Sequence, residues 1–281
     1  MKLALQIHPT RITEETLRTR VYPVFEKLGC TYFVLPRNHD GSVELEPGTD
    51  LICSLGGDGT FLHGSRLAIK HGIPIIGVRA GRLGFLCSTK LSDLFETVAD
   101  IKTGRMPMED RYLLHGRIVR DGKVVYEQMA LNDIVVSRKQ TDKLRDFEAY
   151  TNGKLIANYR GDGMLIGTPL GSTAYNMSAG GPLVHPSLEV ILVTPICAHS
   201  LFTKPLVLPQ DDMVEITSAG GSAPLMVSFD GEFQQPLADG DRVQVTGHDV
   251  SLQLYRPTEY NFFEVLREKF QHGYIYGGED D

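Results

Sequence analysis

Hydrophobic positions in the first hundred residues fall into short blocks that alternate between strand and helix periods. Leu3 to Ile7 is an apolar run of strand length. Thr13 to Leu28 places Leu17, Val21, Val24, Phe25 and Leu28 on one helical face, and Gly29 ends it. Pro23 is expected to weaken or kink that helix. Tyr32 to Leu35 predicts a second strand, and the polar, turn-rich Asn38 to Gly48 a surface loop. Leu51 to Ser54 reads as a buried parallel strand. It runs into Gly56, Gly57, Asp58 and Gly59, after which Thr60 as N-cap opens a predicted helix, Phe61 to His71, stopped by Gly72. Pro74 to Val78 predicts a further strand, and Leu91 to Ile101 a helix entered through Ser92 and Asp93. Strands interleaved with helices predict an α/β domain with a Rossmann-like parallel sheet. Ligands of such sheets sit outside the carboxyl ends of the strands, where the glycine turn lies.

After Pro107 the pattern changes to short runs cut by turn residues. These are Tyr112 to Arg120, Lys123 to Ala130, Asp133 to Arg138, Phe147 to Tyr150, Lys154 to Asn158 and Met164 to Thr168. A second series follows: Leu188 to Thr194, Met213 to Ser218, Leu225 to Phe229, Arg242 to Thr246 and Val250 to Tyr255. Asp121-Gly122 and Asn152-Gly153 signal hairpins. The expectation is a mostly-β, sandwich-like C-terminal domain, α+β overall. The predicted domains are 1–106 and 107–256, with an amphipathic helix from Thr258 to Phe270, within 257–281, packing back on the first and Glu279 to Asp281 solvated.

Composition narrows the class. The 281 residues are 42% hydrophobic and 22% charged, as expected of a globular protein with room for two cores. A net charge of -7 gives no general reason to bind nucleic acid or anionic membrane. No apolar run approaches a membrane span, and MKLALQIHPT reads as a first strand rather than a signal peptide. Cys30, Cys53, Cys87 and Cys197 are far apart, which predicts reduced, mostly buried thiols and a cytoplasmic location. The histidines show no metal spacing.

The chemistry concentrates in four places. At Gly56 to Thr60, glycines let backbone N–H groups approach a ligand, and the following helix aims its positive end back at the turn, so phosphate is welcome. Asp58 would repel that phosphate, so it either caps the helix or has a task, such as binding metal or taking a proton from an attacking hydroxyl. Asn132 and Asp133 sit between two strand runs, as an Asx turn or as ligand contacts. Arg160-Gly161-Asp162-Gly163, then Gly167 to Asn176, is a second glycine-rich strand end, with a helix start expected at Ser172 or Thr173 and a stop at Gly180-Gly181-Pro182. Ser228-Phe229-Asp230-Gly231-Glu232 is a hairpin turn or a further acidic contact. Together the turns and the scattered acids Asp58, Asp133, Asp162 and Asp230 suit a phosphorylated ligand in an interdomain cleft.

GGDGTFL (Gly56 to Leu62), GRLGFL (Gly81 to Leu86), Asn132-Asp133, RGDG (Arg160 to Gly163), TPLGSTAYN (Thr168 to Asn176) and SAGGP (Ser178 to Pro182) resemble the NAD kinase family in order and spacing, from about residue 1 to about residue 270. GGDGT alone is shared with lipid kinases and 6-phosphofructokinase-type kinases; GSTAYN with Asn132-Asp133 is far more specific. The resemblance implies transfer of the γ-phosphoryl of ATP, or of another phosphoryl donor, to the 2′-hydroxyl of the adenosine ribose of NAD, giving NADP. It implies a divalent cation, usually magnesium, and homodimers or homotetramers. It makes Asp58 the general base, with Gly56, Gly57, Gly59 and Thr60 as the phosphate turn. It makes Asn132 and Asp133 partners of the adenosine and its ribose, and Arg160 and Asp162 further dinucleotide contacts. Leu170, Thr173, Ala174, Tyr175, Asn176, Met177 and Ser178 become the platform under the bases, and His63 and Lys143 positions that touch nucleotide in some members.

Two positions depart from the family pattern. Arg79 stands where the family usually has Asn, and is expected to touch a donor or NAD phosphate. Glu232 stands where many members have Gln, and either reaches the nucleotide or faces solvent. The rival readings are a lipid kinase sharing GGDGT and an NADP-binding regulatory module. Against the first stands the absence of an amphipathic basic or aromatic stretch, and against the second the retention of Asp58.

Overall fold

The computed structural model describes all residues except 37–42, 80, 82–83, 140–143, 201–202, 219–223 and 273–281. Lys143, part of the 38–48 loop, part of GRLGFL and the acidic end therefore lie outside the described residues. Two compact units emerge, Met1–Asp110 with Leu252–Asp281, and Arg111–Ser251.

The first unit is built on parallel strands β1 (Lys2–Ile7), β2 (Thr31–Val34), β3 (Leu51–Gly56) and β4 (Ile75–Arg79), in the order β2-β1-β3-β4. The short β5 (Thr89–Lys90) and residues Leu254 and Tyr255 also pair in parallel with β4. All six residues of β3 are buried, because helices cover both faces of the sheet. One face carries α1 (Glu14–Thr16), a π-helical turn (Leu17–Val21), α2 (Tyr22–Lys27) and, after a 3₁₀ turn over Leu91–Asp93, α3 (Leu94–Lys102) further along the chain. The single helix expected over Thr13 to Leu28 is thus interrupted. The Tyr22 N–H reaches back to the Leu17 carbonyl, and this wide turn lets Pro23 enter at the start of α2 without its missing donor breaking the ladder. On the other side, the helix Asp58–His71 buries Phe61, Leu67 and Ala68 and ends at Gly72 in the left-handed region, φ 62°.

Thr60 is not its N-cap. Gly57 is, in extended conformation, and Thr60 lies inside the first turn, where a Cβ on Gly56 would overlap its side chain. The C-terminal helix runs Phe262–His272, not from Thr258. The Asn261 side chain accepts from the Phe263 and Glu264 amides and so fixes the later start. The Phe262 ring contacts Phe85 at 5.9 Å.

The second unit is two antiparallel sheets around one core. Its strands are β6 (Met108–Arg120), β7 (Lys123–Ala130), β8 (Asp133–Arg138), β9 (Arg145–Thr151), β10 (Lys154–Gly161), β11 (Gly163–Gly167), β12 (Val190–Ile196), β13 (Leu206–Pro209), β14 (Val214–Thr217), β15 (Leu225–Phe229), β16 (Phe233–Leu237) and β17 (Arg242–Tyr255). One sheet reads β10-β9-β14-β17-β6-β7 and the other β13-β12-β11-β8-β15-β16. Phe147, Ala149, Ile216 and Val245 from the first meet Ile134, Ile166, Val193 and Phe229 from the second in a shared core. Asp121-Gly122, Asn152-Gly153 and Asp230-Gly231 each hold two successive left-handed residues, the type I′ geometry that matches strand twist.

Three expectations change. Arg242 to Thr246 and Val250 to Tyr255 are one continuous strand. Strands β5, β13 and β16 were not predicted, because they are short, and two of them carry Pro. The helix expected from Ser172 is only a 3₁₀ turn, Leu170–Thr173, and one α-turn, Tyr175–Ser178, too short to carry a useful dipole. Three of the four cysteines are buried, in line with the expectation of mostly buried thiols, and Cys197 is exposed. Among the described residues, no helix is long and apolar enough to cross a membrane.

Candidate active site

In the first unit, the chain leaves β1 toward β2 on one side and returns to β3 on the other. The carboxyl ends of β1 and β3 therefore flank the switch point where such sheets bind ligands. Gly56-Gly57-Asp58 closes one side of it. The loop after β1 closes the other, folded around His8, whose Nδ1 accepts from the Thr10 and Arg11 amides at 3.3 and 3.1 Å. Burial first, then the Arg11 charge, pushes the His8 imidazole below its ordinary value. A Cβ on Gly57 would lie 3.4 Å from Arg11 Nη1, so a guanidinium reaches the glycine turn. Neither His8 nor Arg11 was singled out in the sequence, because no spacing rule links them to a turn nearly fifty residues away.

Asp58 begins its helix but does not cap it. Its Oδ2 accepts from the Phe85 amide at 3.0 Å, and its Oδ1 from the Leu86 and Cys87 amides at 3.0 and 3.1 Å. Gly84 is required here, because a Cβ would overlap the Asp58 carboxylate. The two glycine motifs, GGDGT and GRLGFL, are thus one device. A carboxylate has about four lone-pair sites, and three amides leave Oδ2 with one to spare. Gly59 faces open space, and His63 is half-buried on the same helix.

Arg79 ends β4 beside Gly56. It lines an open cleft of about 730 Å³ with Ser88, Thr89 and Lys90, rimmed by acids such as Glu96 and Glu264. Among the described residues, Arg79 Nε, Ser88 Oγ and Thr89 Oγ1 are buried there without hydrogen-bond partners.

In the second unit, Asn132 and Asp133 are buried at the start of β8, not in an Asx turn. Their backbone is locked on both edges. The Asp230 carboxylate accepts from the Leu131, Asn132 and Asp133 amides at 2.9, 2.7 and 3.2 Å. The Asp230 amide donates to the Asp133 carbonyl at 2.9 Å. Thr168 donates its hydroxyl to the Leu131 carbonyl at 2.7 Å and its amide to the Asn132 carbonyl at 2.9 Å. Gly171 packs so close that a Cβ would overlap the Asn132 carbonyl. Asp230-Gly231 is therefore a hairpin turn whose acid is spent on backbone, and Glu232 beside it is exposed. In the sequence, Thr168 is one hydroxyl among several in the run from Gly167 to Asn176.

The Asp133 carboxyl group accepts no hydrogen bond among the described residues, and burial first, then the Asp230 charge, raises it from 3.8 to about 7. Tyr175 is exposed on the short helix, close enough to feel the charges of Cys197, Asp133 and Asp162 after the larger effect of its own burial. Met177 and Ser178 are exposed beside it, Leu170 is buried, and the Thr173 hydroxyl turns inward to the Leu170 carbonyl at 3.4 Å. Ala174 joins the two short turns.

Asn176 supports this platform from beneath. It is fully buried, donates to the Ser172 and Pro182 carbonyls, and accepts from Thr194 Oγ1 at 2.6 Å. Arg160 forms a bidentate pair with Asp146, both contacts 2.8 Å, and Asp162 pairs with Arg138 at 2.7 Å. Among the described residues, no group of three His, Cys, Asp or Glu side chains could hold a metal.

Comparison with known proteins covers both units. Residues 6–106 match the ATP-NAD kinase N-terminal domain and residues 131–256 the ATP-NAD kinase C-terminal domain. The NAD kinase of Heliobacterium modesticaldum is 44% identical over 224 residues, 80% of this chain and 79% of that one. The NAD kinase of Thiobacillus denitrificans is 37% identical over 271 residues, 94% and 91% of the two chains. In structure, the yeast NADH kinase complexed with NADH superimposes with a TM-score of 0.83 at 26% identity, covering 100% of this chain and 90% of that one. The Archaeoglobus fulgidus NAD kinase in complex with ATP shares the fold, with a TM-score of 0.77 at 24% identity over 95% and 99% of the two chains. With both domain families matched in order and close relatives along nearly the whole chain, the protein belongs to the NAD kinase family.

Proposed function

We propose that this chain transfers the γ-phosphoryl group of ATP to the 2′-hydroxyl of the adenosine ribose of NAD, giving NADP, with Asp58 as the general base. The carrying observation is the Asp58 carboxylate, fixed by three amides beside a glycine turn with one lone-pair site left on Oδ2. A ribose hydroxyl is a weak acid, so the carboxylate works chiefly by positioning the oxygen and taking its proton late. The rest of the rate comes from alignment and charge neutralisation.

Arg11 at the glycine turn and Arg79 at the end of β4 supply fixed positive charge for phosphates. Asn132 and Asp133 hold the adenosine, and Tyr175, with its neighbours on the 170–178 turn, forms a stacking surface. The divalent cation is proposed to arrive on the donor's phosphates. Magnesium typically uses one or two carboxylates plus substrate phosphates, which suits a chain whose described acids form no cage of their own. When bound, it neutralises charge on the transferring group. Assembly as a homodimer or homotetramer is part of the proposal, and light scattering on the eluting peak tests it.

The test of the reaction is a panel of donors (ATP, other nucleoside triphosphates, polyphosphate) and acceptors (NAD, NADH, diacylglycerol) with magnesium. NADP formation from NAD is expected. Phosphorylation of diacylglycerol instead, or tight NADP binding without turnover, would replace the reading with one of its rivals.

A further inference from the structure

The three residues Leu131, Asn132 and Asp133 carry six backbone polar groups, and all six are paired, by Asp230 and Thr168 alone. Ordinary strand ends are not held this way; one carboxylate accepting three successive amides leaves the segment a single conformation. The arrangement also brings the Asp230 charge against Asp133, which is almost wholly buried and whose carboxyl group is given no compensating donor among the described residues. Among the described residues, the other titratable group near Asp133 is Tyr175, which in turn faces Asp162 and Cys197. Asp162 is neutralised by Arg138, so Asp230 is the charge that bears on Asp133.

Resting on the reading that Asn132 and Asp133 hold the adenosine of NAD, we propose that Asp230 is a positioning residue for NAD capture: it fixes the chain that presents these two side chains, and its charge makes their grip depend on pH. The ionised Asp133 accepts hydrogen bonds from ribose hydroxyls, whereas its neutral form does so less well. Burial first, and then the second carboxylate held beside it, place the change of form close to neutrality.

The test compares Asp230→Asn and Thr168→Val with the parent in the full-length enzyme, measuring KM for NAD, KM for the donor and kcat between pH 5.5 and 8.5, with thermal unfolding as a check of fold. Both variants loosen the segment and are expected to raise KM for NAD by about tenfold, the loss of one charge-assisted or buried hydrogen bond, with the KM for the donor little changed. Only Asp230→Asn removes the charge, so only it moves the pH at which KM for NAD changes, downward by about half a unit or more. A KM for NAD in Asp230→Asn that equals the parent's, or that is raised equally at every pH, overturns the inference. Should that variant not fold, Asp133→Asn is decisive: it is expected to abolish the pH dependence of KM for NAD, and its persistence overturns the inference. A parent that makes no NADP overturns the underlying reading as well; a parent that makes NADP beside unmoved variants overturns this inference alone.

Discussion

Two carboxylates illustrate how a local environment separates residues of one type. Asp58 is surrounded by amide donors, whereas Asp133 has burial and a neighbouring acid. Asp58→Asn keeps the shape but replaces an acceptor with a donor and removes the base, so NAD binding is expected to survive while turnover falls roughly 10²-fold or more. Equilibrium binding and steady-state kinetics check the split, and near-normal turnover would remove Asp58 from the role. Asp133 makes a prediction about stability. Its folded value of about 7 lies above the ordinary 3.8, so between those values the folded state holds more protons than the unfolded state. Stability therefore declines as pH rises through that window, and the cost is fully present above it. The advantage of Asp133→Asn over the parent in melting temperature should therefore be larger at pH 8 than at pH 5, as scanning calorimetry can measure.

At the scale of elements, the site depends on loops that grip one another rather than on any single turn. Residues 84–87 wrap Asp58 because Gly84 leaves room for its carboxylate. In Gly84→Ala the new methyl must displace that carboxylate or the loop, so turnover is expected to fall about tenfold or more with the fold retained, an orientation effect seen in kcat rather than in the melting temperature. Unchanged kcat would mean that the loop and Asp58 move independently. The glycines of both motifs were legible in the sequence, as were the type I′ hairpins, because conformation there is decided by one or two residues. The π-helical turn before Pro23 and the union of two strand runs into β17 were not, since each depends on what the neighbouring chain offers as a hydrogen-bond partner.

Across the whole molecule, the first unit is assembled from both ends of the chain, and Arg256 ties them together. Its buried guanidinium bonds to Glu109 Oε2 at 2.8 Å and the Phe85 carbonyl at 3.1 Å, and lies 3.9 Å from the Tyr260 ring centroid. Through Phe85 it reaches the loop that holds Asp58. Arg256→Ala strips a buried charge pair and is expected to cost about 3 kcal/mol in denaturant melts and to lower turnover as well. Loss of stability without loss of turnover would separate that anchor from the site. Thiol chemistry reports on the fold as a whole. Cys30, Cys53 and Cys87 are buried, and burial pushes Cys53 up to about 12, whereas Cys197 is exposed. One thiol should react with an aromatic disulfide reagent in the native protein, and four after unfolding.

The sequence by itself determined the alternation of strands and helices, the glycine turns, the β-rich second half and the family, because these rest on local periodicity, on backbone freedom and on motifs contiguous in the chain. Tertiary structure alone decided what each acid is for. Asp230, Thr168 and Asp133 are read as three isolated polar residues until folding brings Asp230 and Thr168 onto one backbone segment. Asp58 likewise looks like a helix cap until a loop nearly thirty residues away supplies its amides. Hydrogen bonds between distant segments leave no period in a sequence, and the charge state of a carboxyl depends on burial that only packing creates.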